Sequence, residues 1–294
     1  MPAEGVSAGE VIYQLNVGGV CGHYADPASS QSPSGLTAEL LVEGAVALEG
    51  KAANLERLRL VEPREPLGLF EGVLITVLGT DMDVGKTTVA AALMASLRQR
   101  GLGPVYIKGT GTGRYRDLLR VERGRYEGLI GWERSVYDFV DAGLPATGSA
   151  SAGEVSAAVK GLLAFASGLS RWVILELADS PFDEDSLKVF SDPELVHLIG
   201  RRGYTVYACD CVASALTLAA LEERFGFDLK RCLISGPVAN TPLSRLKAEE
   251  LTGRPAPPSV NCRALLTGKL EPQGEALLEA LITLGMPLEE RAPC

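Results

Sequence analysis

Val77-Leu-Gly-Thr-Asp-Met-Asp-Val-Gly-Lys-Thr-Thr88 follows a short apolar run at residues 73–78 and opens a helical stretch at residues 87–100. A buried strand, a glycine-bounded turn and a helix N-terminus thus come in succession, which is the context a phosphate-binding P-loop requires. Backbone N–H groups of such a turn surround phosphate oxygens, glycine lets the main chain come close, and the helix dipole favours the anion. Lys86 supplies positive charge for the β and γ phosphates, and Thr87 offers a hydroxyl to Mg²⁺. The string therefore predicts binding of a purine nucleoside triphosphate with Mg²⁺ through Gly79, Gly85, Lys86 and Thr87. The plain alternative is a glycine turn between strand and helix with no ligand. The first glycine stands one position earlier than in the usual GxxxxGK[ST], because residue 80 is threonine.

Beyond residue 66 the pattern repeats. Residues 73–78, 105–107, 172–177, 205–208 and 232–234 are short apolar runs that suit buried strands, and helical stretches lie between them. In residues 87–100, Ala90, Leu93, Met94 and Leu97 fall on one helical face. Strand and helix in alternation predict an α/β fold, a parallel sheet with helices on both faces. Before residue 66 the apolar segments (11–17, 36–48, 58–61) are shorter and punctuated by Gly, Pro, Ser and Asp, so a small β-rich domain is expected over residues 1–66 and the P-loop domain over 67–294. Residues 26–35 read as a polar loop, and Glu62-Pro-Arg-Glu-Pro66 reads as a stiff linker. There is no internal repeat.

With 294 residues, 46% of them apolar and 22% charged, the chain can bury a sizeable core. Residues 72–79 form its longest strongly apolar stretch, too short for a membrane helix, and the first residues, Met-Pro-Ala-Glu-Gly, lack signal-peptide features, so a cytosolic protein without a membrane partner is expected. A net charge of −9 argues against a nucleic-acid partner. The one basic run, Arg114, Arg116, Arg120, Arg123 and Arg125, is either a solvated helix face or a patch beside bound phosphates. Six cysteines show no CxxC pairing and are read as reduced; in Cys209-Asp-Cys211 both are read as small core residues. His23 and His197 are the only histidines, which excludes a His-rich metal centre.

The loop Gly79-Thr-Asp-Met-Asp-Val-Gly-Lys-Thr87 closely resembles the Gly-Thr-Asp-Thr-x-Val-Gly-Lys-Thr loop of dethiobiotin synthetase and its relatives among P-loop ATPases. An uncharacterised P-loop family with an added N-terminal domain is similar in overall layout. The likeness spans about residues 72–245. It implies ATP and Mg²⁺ as ligands, with Gly79, Asp81, Asp83, Val84, Gly85, Lys86, Thr87 and Thr88 forming the nucleotide loop. Tyr106-Ile-Lys108 resembles the segment whose lysine faces the transferred phosphate, which makes Lys108 a catalytic candidate beside Lys86. Asp117 falls where that family has a magnesium-binding aspartate, although Asp138, Asp141 and Asp179 are also available. Val173-Ile-Leu-Glu176 resembles the strand whose terminal glutamate holds the metal. Val238-Ala-Asn240 resembles the segment whose asparagine reads the adenine edge.

Each candidate has a bland alternative. Lys108 could be a surface lysine at a strand end, and Asn240, before Pro242, a turn residue. A carboxylate ending an apolar strand, as Glu176 does, needs a partner, and Mg²⁺ is a natural one. Met82 replaces the family's loop threonine, and Leu177-Ala-Asp-Ser180 stands where dethiobiotin synthetase has a glycine-rich segment, so a different substrate pocket is expected. Lys108-Gly-Thr-Gly-Thr-Gly113 and Asp138-Phe-Val-Asp-Ala-Gly-Leu-Pro145 are the strings that could shape it. The leading expectation is an ATP-dependent ligase or phosphotransferase acting on a small carboxylate or amine-derived substrate. A nucleotide-driven switch or partitioning ATPase is the second reading, although the loop has threonine, not lysine, at position 80. A non-catalytic ATP-binding regulator is the third. The oligomeric state is open, with a homodimer admitted.

Overall fold

The computed structural model describes residues 54–113, 115–122, 134–258 and 271–288, together with five short strands before them. In the N-terminal segment β1 (Val11–Gln14) pairs antiparallel with β2 (Cys21–Gly22) and β3 (Glu39–Leu41), and β4 (Ala47–Leu48) pairs antiparallel with β5 (Lys51–Ala52). Short strands are what that composition suggests. Residues 58–61, grouped with them in the sequence, are not a strand. They follow a single helical turn, α1 (Leu55–Leu58), whose N-cap Asn54 accepts the Arg57 N–H at 2.9 Å.

Residues 62–66, expected as a linker, lie against the main domain. Leu60 N and Val61 N both donate to Asp141 O, at 2.8 and 2.9 Å, and Arg64 N donates to Ala157 O at 2.9 Å. Lys160, only 2% exposed, gathers Glu65, Asp192 and Glu194 at 2.6, 2.6 and 2.8 Å. Val61, Leu67 and Phe70 join the core. Burial of three such side chains contributes about 1.5–3 kcal/mol each, enough to hold the segment down without a ladder.

The main domain is one six-stranded, all-parallel sheet in the order β11 (Cys232–Ser235), β10 (Tyr204–Ala208), β6 (Val73–Gly79), β9 (Trp172–Glu176), β7 (Val105–Lys108), β8 (Val136–Asp138). Both faces are covered, so each strand is buried along its length and reads as a continuous apolar run instead of an alternating one. Val73, Ile75, Val77, Tyr106, Trp172 and Ile174 point to one face; Leu74, Leu78, Val105, Ile107, Val173 and Leu175 point to the other. On the first face pack α2 (Lys86–Gln99), α3 (Tyr115–Val121) and α10 (Glu271–Thr283). On the second face lies α4 (Ala152–Leu169), with α5 (Glu184–Phe190), α6 (Pro193–His197), α7 (Val212–Ala215) and α8 (Leu218–Phe225) contributing to the same core. Next along the chain comes α9 (Pro242–Thr252).

Several sequence expectations change. The helix after the P-loop is buried nearly all round, from Thr88 to Leu97, and not along one stripe, because α3 and α10 pack against it in addition to the sheet. Its Ala-rich surface permits this close approach. The edge strand β8 leaves no signal in the sequence, since three residues give no periodicity. The segment 138–145 that follows it is a structural turn: Phe139 and Ala142 are buried, Asp138 Oδ1 accepts Val140 N at 2.9 Å, and Asp141 accepts Asp138 N at 3.0 Å and pairs with Arg134. Cys209 is buried as expected, but Cys211 is exposed at the N-cap of α7. Among the described residues no helix is long and apolar enough to cross a membrane.

Candidate nucleotide site

β6 lies inside the sheet, and the chain leaves it toward β7 on one side, while the connection from β9 crosses to β10 on the other. In open parallel sheets such a divergence leaves a crevice at the carboxyl ends of the strands. The turn 80–85 sits there and leads into α2 with Gly85 as N-cap, at φ +91°, in the left-handed region where a side chain is strained. A Cβ on Gly79 would stand 2.6 Å from Val84 Cγ2 and 2.9 Å from Lys86 Cγ, so the turn can fold over the strand end only on a glycine. Gly236, after β11, was not singled out in the sequence. Its Cβ would meet Cys209 O at 2.7 Å and Val84 O at 2.9 Å, which makes it the point where the β11 loop backs the P-loop.

A cleft of about 320 Å³ opens over this edge. Asp83, Gly85, Lys86, Thr87, Thr88, Lys108, Asp117 and Glu176 line it, joined by Met82, Gly111, Thr112, Arg120, Ala178, Asp179 and Asp185. The register explains the convergence. Lys108 pairs with Glu176 on β9 and with Asp138 on β8, and Glu176 pairs with Val77 on β6. Side chains at 106, 108, 174 and 176 share the face that carries α2, because strand residues two apart point the same way. Thr87, at the start of α2, meets them: its Oγ1 donates to Glu176 Oε1 at 2.9 Å. Lys108 Nζ donates to Asp117 Oδ2 at 2.6 Å and lies 3.4 Å from Glu176 Oε1. Tyr106 OH donates to Glu176 Oε2 at 2.8 Å.

The two lysines differ. Lys86, 7% exposed, donates to the main-chain carbonyls of Asp81 at 2.6 Å and Asp179 at 2.9 Å; among the described residues it has no ion-pair partner. Burial pulls its ammonium below the ordinary lysine value, with Glu176 and Asp179 working the other way. A buried cation held only by neutral oxygens is a natural seat for an anion. Lys108 is also desolvated, but the Glu176 and Asp117 charges outweigh burial and hold it above its usual value. Burial likewise raises Tyr106 well above the ordinary phenol value, so it acts as a donor.

The remaining aspartates sort by contact. Asp117, on α3, is 8% exposed and touches Lys108. Asp141 is taken up by Arg134 and the β8 turn, and neither it nor Asp138 lines the cleft. Burial, reinforced by Asp141, pushes the Asp138 carboxyl up to about 6. Asp179, at φ +53°, lines the cleft, and its carboxyl is also raised, chiefly by burial. Asp81 is exposed; its carbonyl reaches Lys86, while its carboxylate accepts Met82 N. Val84 is buried beneath the loop. Asn240 is the exposed last residue of a 3-10 turn, Pro237–Asn240, at the same sheet edge but does not line the cleft. Of the arginine run, Arg120 lines the cleft; Arg114, Arg123 and Arg125, and the side chain of Arg116, lie outside the described residues.

The turn 109–113, one of the strings that could shape a substrate pocket, is stapled from both sides. Gly109 N donates to Glu176 O at 2.8 Å, Ala178 N donates to Thr110 Oγ1 at 2.7 Å, and Gly111 N donates to Thr147 Oγ1 at 2.8 Å. Thr147 in turn meets Asp185 Oδ2 at 2.8 Å. Little of the turn is left to bind a ligand beyond Gly111 and Thr112, and it forms a fixed wall.

Donor chemistry suits nucleotide and Mg²⁺ together. The described residues contain no group of three His, Cys, Asp or Glu able to hold a metal by themselves. Mg²⁺ commonly takes one or two protein carboxylates and completes its shell with phosphate oxygens and water, and here Thr87, Glu176 and Asp117 are grouped beside Lys86.

Parallel sheet, glycine turn and helix start together define a P-loop α/β domain. No protein-family model matches the chain, and no curated protein matches it. A solved structure to which it is similar is a ParA-family ATPase from Chlorobium tepidum TLS, with 13% identity and a TM-score of 0.42, covering 74% of this chain and 97% of that one.

Proposed function

We propose that the chain is an ATP- and Mg²⁺-dependent enzyme that passes the γ-phosphoryl group to a small carboxylate or amine-derived acceptor, as the dethiobiotin synthetase-like loop implies. One observation carries this reading: two buried ammonium groups, Lys86 and Lys108, line a single cleft with the Thr87, Glu176 and Asp117 oxygens between the P-loop and α3. Phosphoryl transfer needs little covalent help from a protein but much charge placed around the moving group. Mg²⁺ would supply further charge neutralisation and be held by Thr87, Glu176 and Asp117. Lys86 binds the phosphates, and Lys108, whose charge is secured by two carboxylates, faces the group in transit. The end of the cleft lined by Thr112, Arg120, Ala178 and Asp185 leaves room for the acceptor.

The test is ATP consumption with Mg²⁺ against pools of small carboxylates, amines and amino acids, with and without bicarbonate. Consumption should be slow alone and rise with the right acceptor. Stimulation by a protein partner only would replace this reading with a nucleotide-dependent switch.

A further inference from the structure

We propose that Tyr106 is a positioning residue of the cation site: its phenol fixes the plane of the Glu176 carboxylate, so that Thr87 donates its hydroxyl proton to Glu176 and keeps its oxygen lone pairs for Mg²⁺. The inference rests on reading the cleft as a nucleotide–Mg²⁺ site.

Glu176 is 1% exposed and stands at the last position of β9. Its two oxygens are held from opposite sides. Thr87, from α2, reaches Oε1 at 2.9 Å, and Tyr106, from the neighbouring strand, reaches Oε2 at 2.8 Å. Lys108 cannot do the second task, because it lies 3.4 Å from the oxygen already bonded to Thr87. With Thr87 and Lys108 both on Oε1, the Tyr106 phenol anchors the second oxygen, so the carboxylate resists turning about its terminal bond at two points and not one. Tyr106 is in register with Ile174, two pairs short of Lys108 and Glu176, and its side chain lies on the same sheet face. The phenol therefore reaches along that face toward the carboxyl edge. Its ring also fills the core between sheet and α2, with no exposed surface. A buried phenol needs some acceptor; the one it has is the carboxylate that contacts the P-loop threonine. Partners of this kind commonly orient a metal ligand and are felt strongly when removed.

Tyr106→Phe separates the two roles, since it keeps the ring and deletes only the donor. Binding of a fluorescent ATP analogue is measured in EDTA and across a Mg²⁺ titration, with the melting temperature recorded alongside. The variant should melt near the wild type, bind equally well in EDTA, and require roughly tenfold more Mg²⁺ for half-maximal stimulation of binding. In a Glu176→Gln background the same change should add nothing. An unchanged Mg²⁺ midpoint, an equal loss of binding with and without Mg²⁺, or a full additional loss in the Glu176→Gln background overturns the inference. Absence of nucleotide binding in the wild type overturns the cleft reading itself, and this inference with it.

Discussion

Thr87 Oγ1 and Glu176 Oε1 are 2.9 Å apart across 89 positions of sequence, so the first turn of the P-loop helix is tied directly to the end of the adjacent strand. In the proposed site this pair holds the cation, and Glu176→Gln should disturb it without removing phosphate contacts. Turnover at limiting Mg²⁺ should fall by roughly 10–100-fold, with nucleotide affinity much less affected. Unchanged turnover would remove Glu176 from the site.

Lys86→Ala deletes a buried ammonium whose partners are the Asp81 and Asp179 carbonyls. Charge-assisted hydrogen bonds to phosphate are worth about 1.5–3 kcal/mol each, so affinity for ATP with Mg²⁺ should drop by at least roughly tenfold in calorimetry. Because burial disfavours this ammonium in the folded chain, its removal should leave the melting temperature level or higher. Wild-type affinity in the variant would end the phosphate assignment.

Lys108→Ala should leave ATP bound and lower the acceptor-stimulated rate by at least roughly tenfold, about 1.4 kcal/mol in the barrier. Single-turnover measurements with saturating nucleotide decide it. A variant that keeps the full rate would show that Lys108 serves only to neutralise Asp117 and Glu176.

ATP should be preferred to GTP if Asn240 presents its carbonyl to the adenine amino group and its amide to a ring nitrogen. Asn240 is exposed outside the phosphate cleft, on the loop whose Gly236 backs the P-loop. Competition binding with both nucleotides, in the wild type and in Asn240→Ala, tests the assignment; a GTP preference would sink it.

Lys160 predicts the acid limb of stability. Burial opposes charge at this cluster, but Lys160 still holds the Asp192 carboxyl below the usual carboxylate range, and its hydrogen bond does the same for Glu194. Carboxyls lowered on folding contribute stability that is present above their unfolded values, near pH 4, and is lost as pH falls through the folded ones. Lys160→Met should therefore lower the melting temperature at pH 7 by a few degrees and flatten its decline below about pH 4. Parallel acid limbs in wild type and variant would refute the role.

The sequence by itself determined the phosphate end of the site. Gly79, Gly85, Lys86 and Thr87 are close in the chain, and the roles proposed for them rest on local geometry: a turn that tolerates no Cβ at its start and a helix N-terminus. Glu176 was legible as a carboxylate ending an apolar strand and Lys108 through the family resemblance of its segment, and parallel strands bring their carboxyl ends to one edge. Tyr106 lay two residues before Lys108, on the same face by the strand period, yet its partner was invisible until β7 was known to neighbour β9. Only the tertiary structure chose Asp117 over Asp138 and Asp141 as the contact of Lys108, brought Asp179 and Asp185 to the cleft, pinned the 109–113 turn and laid residues 60–66 on the main domain. Those outcomes depend on strand order and on which helix covers which face. They are set by the summed packing of side chains far apart in sequence, and no local pattern encodes that sum.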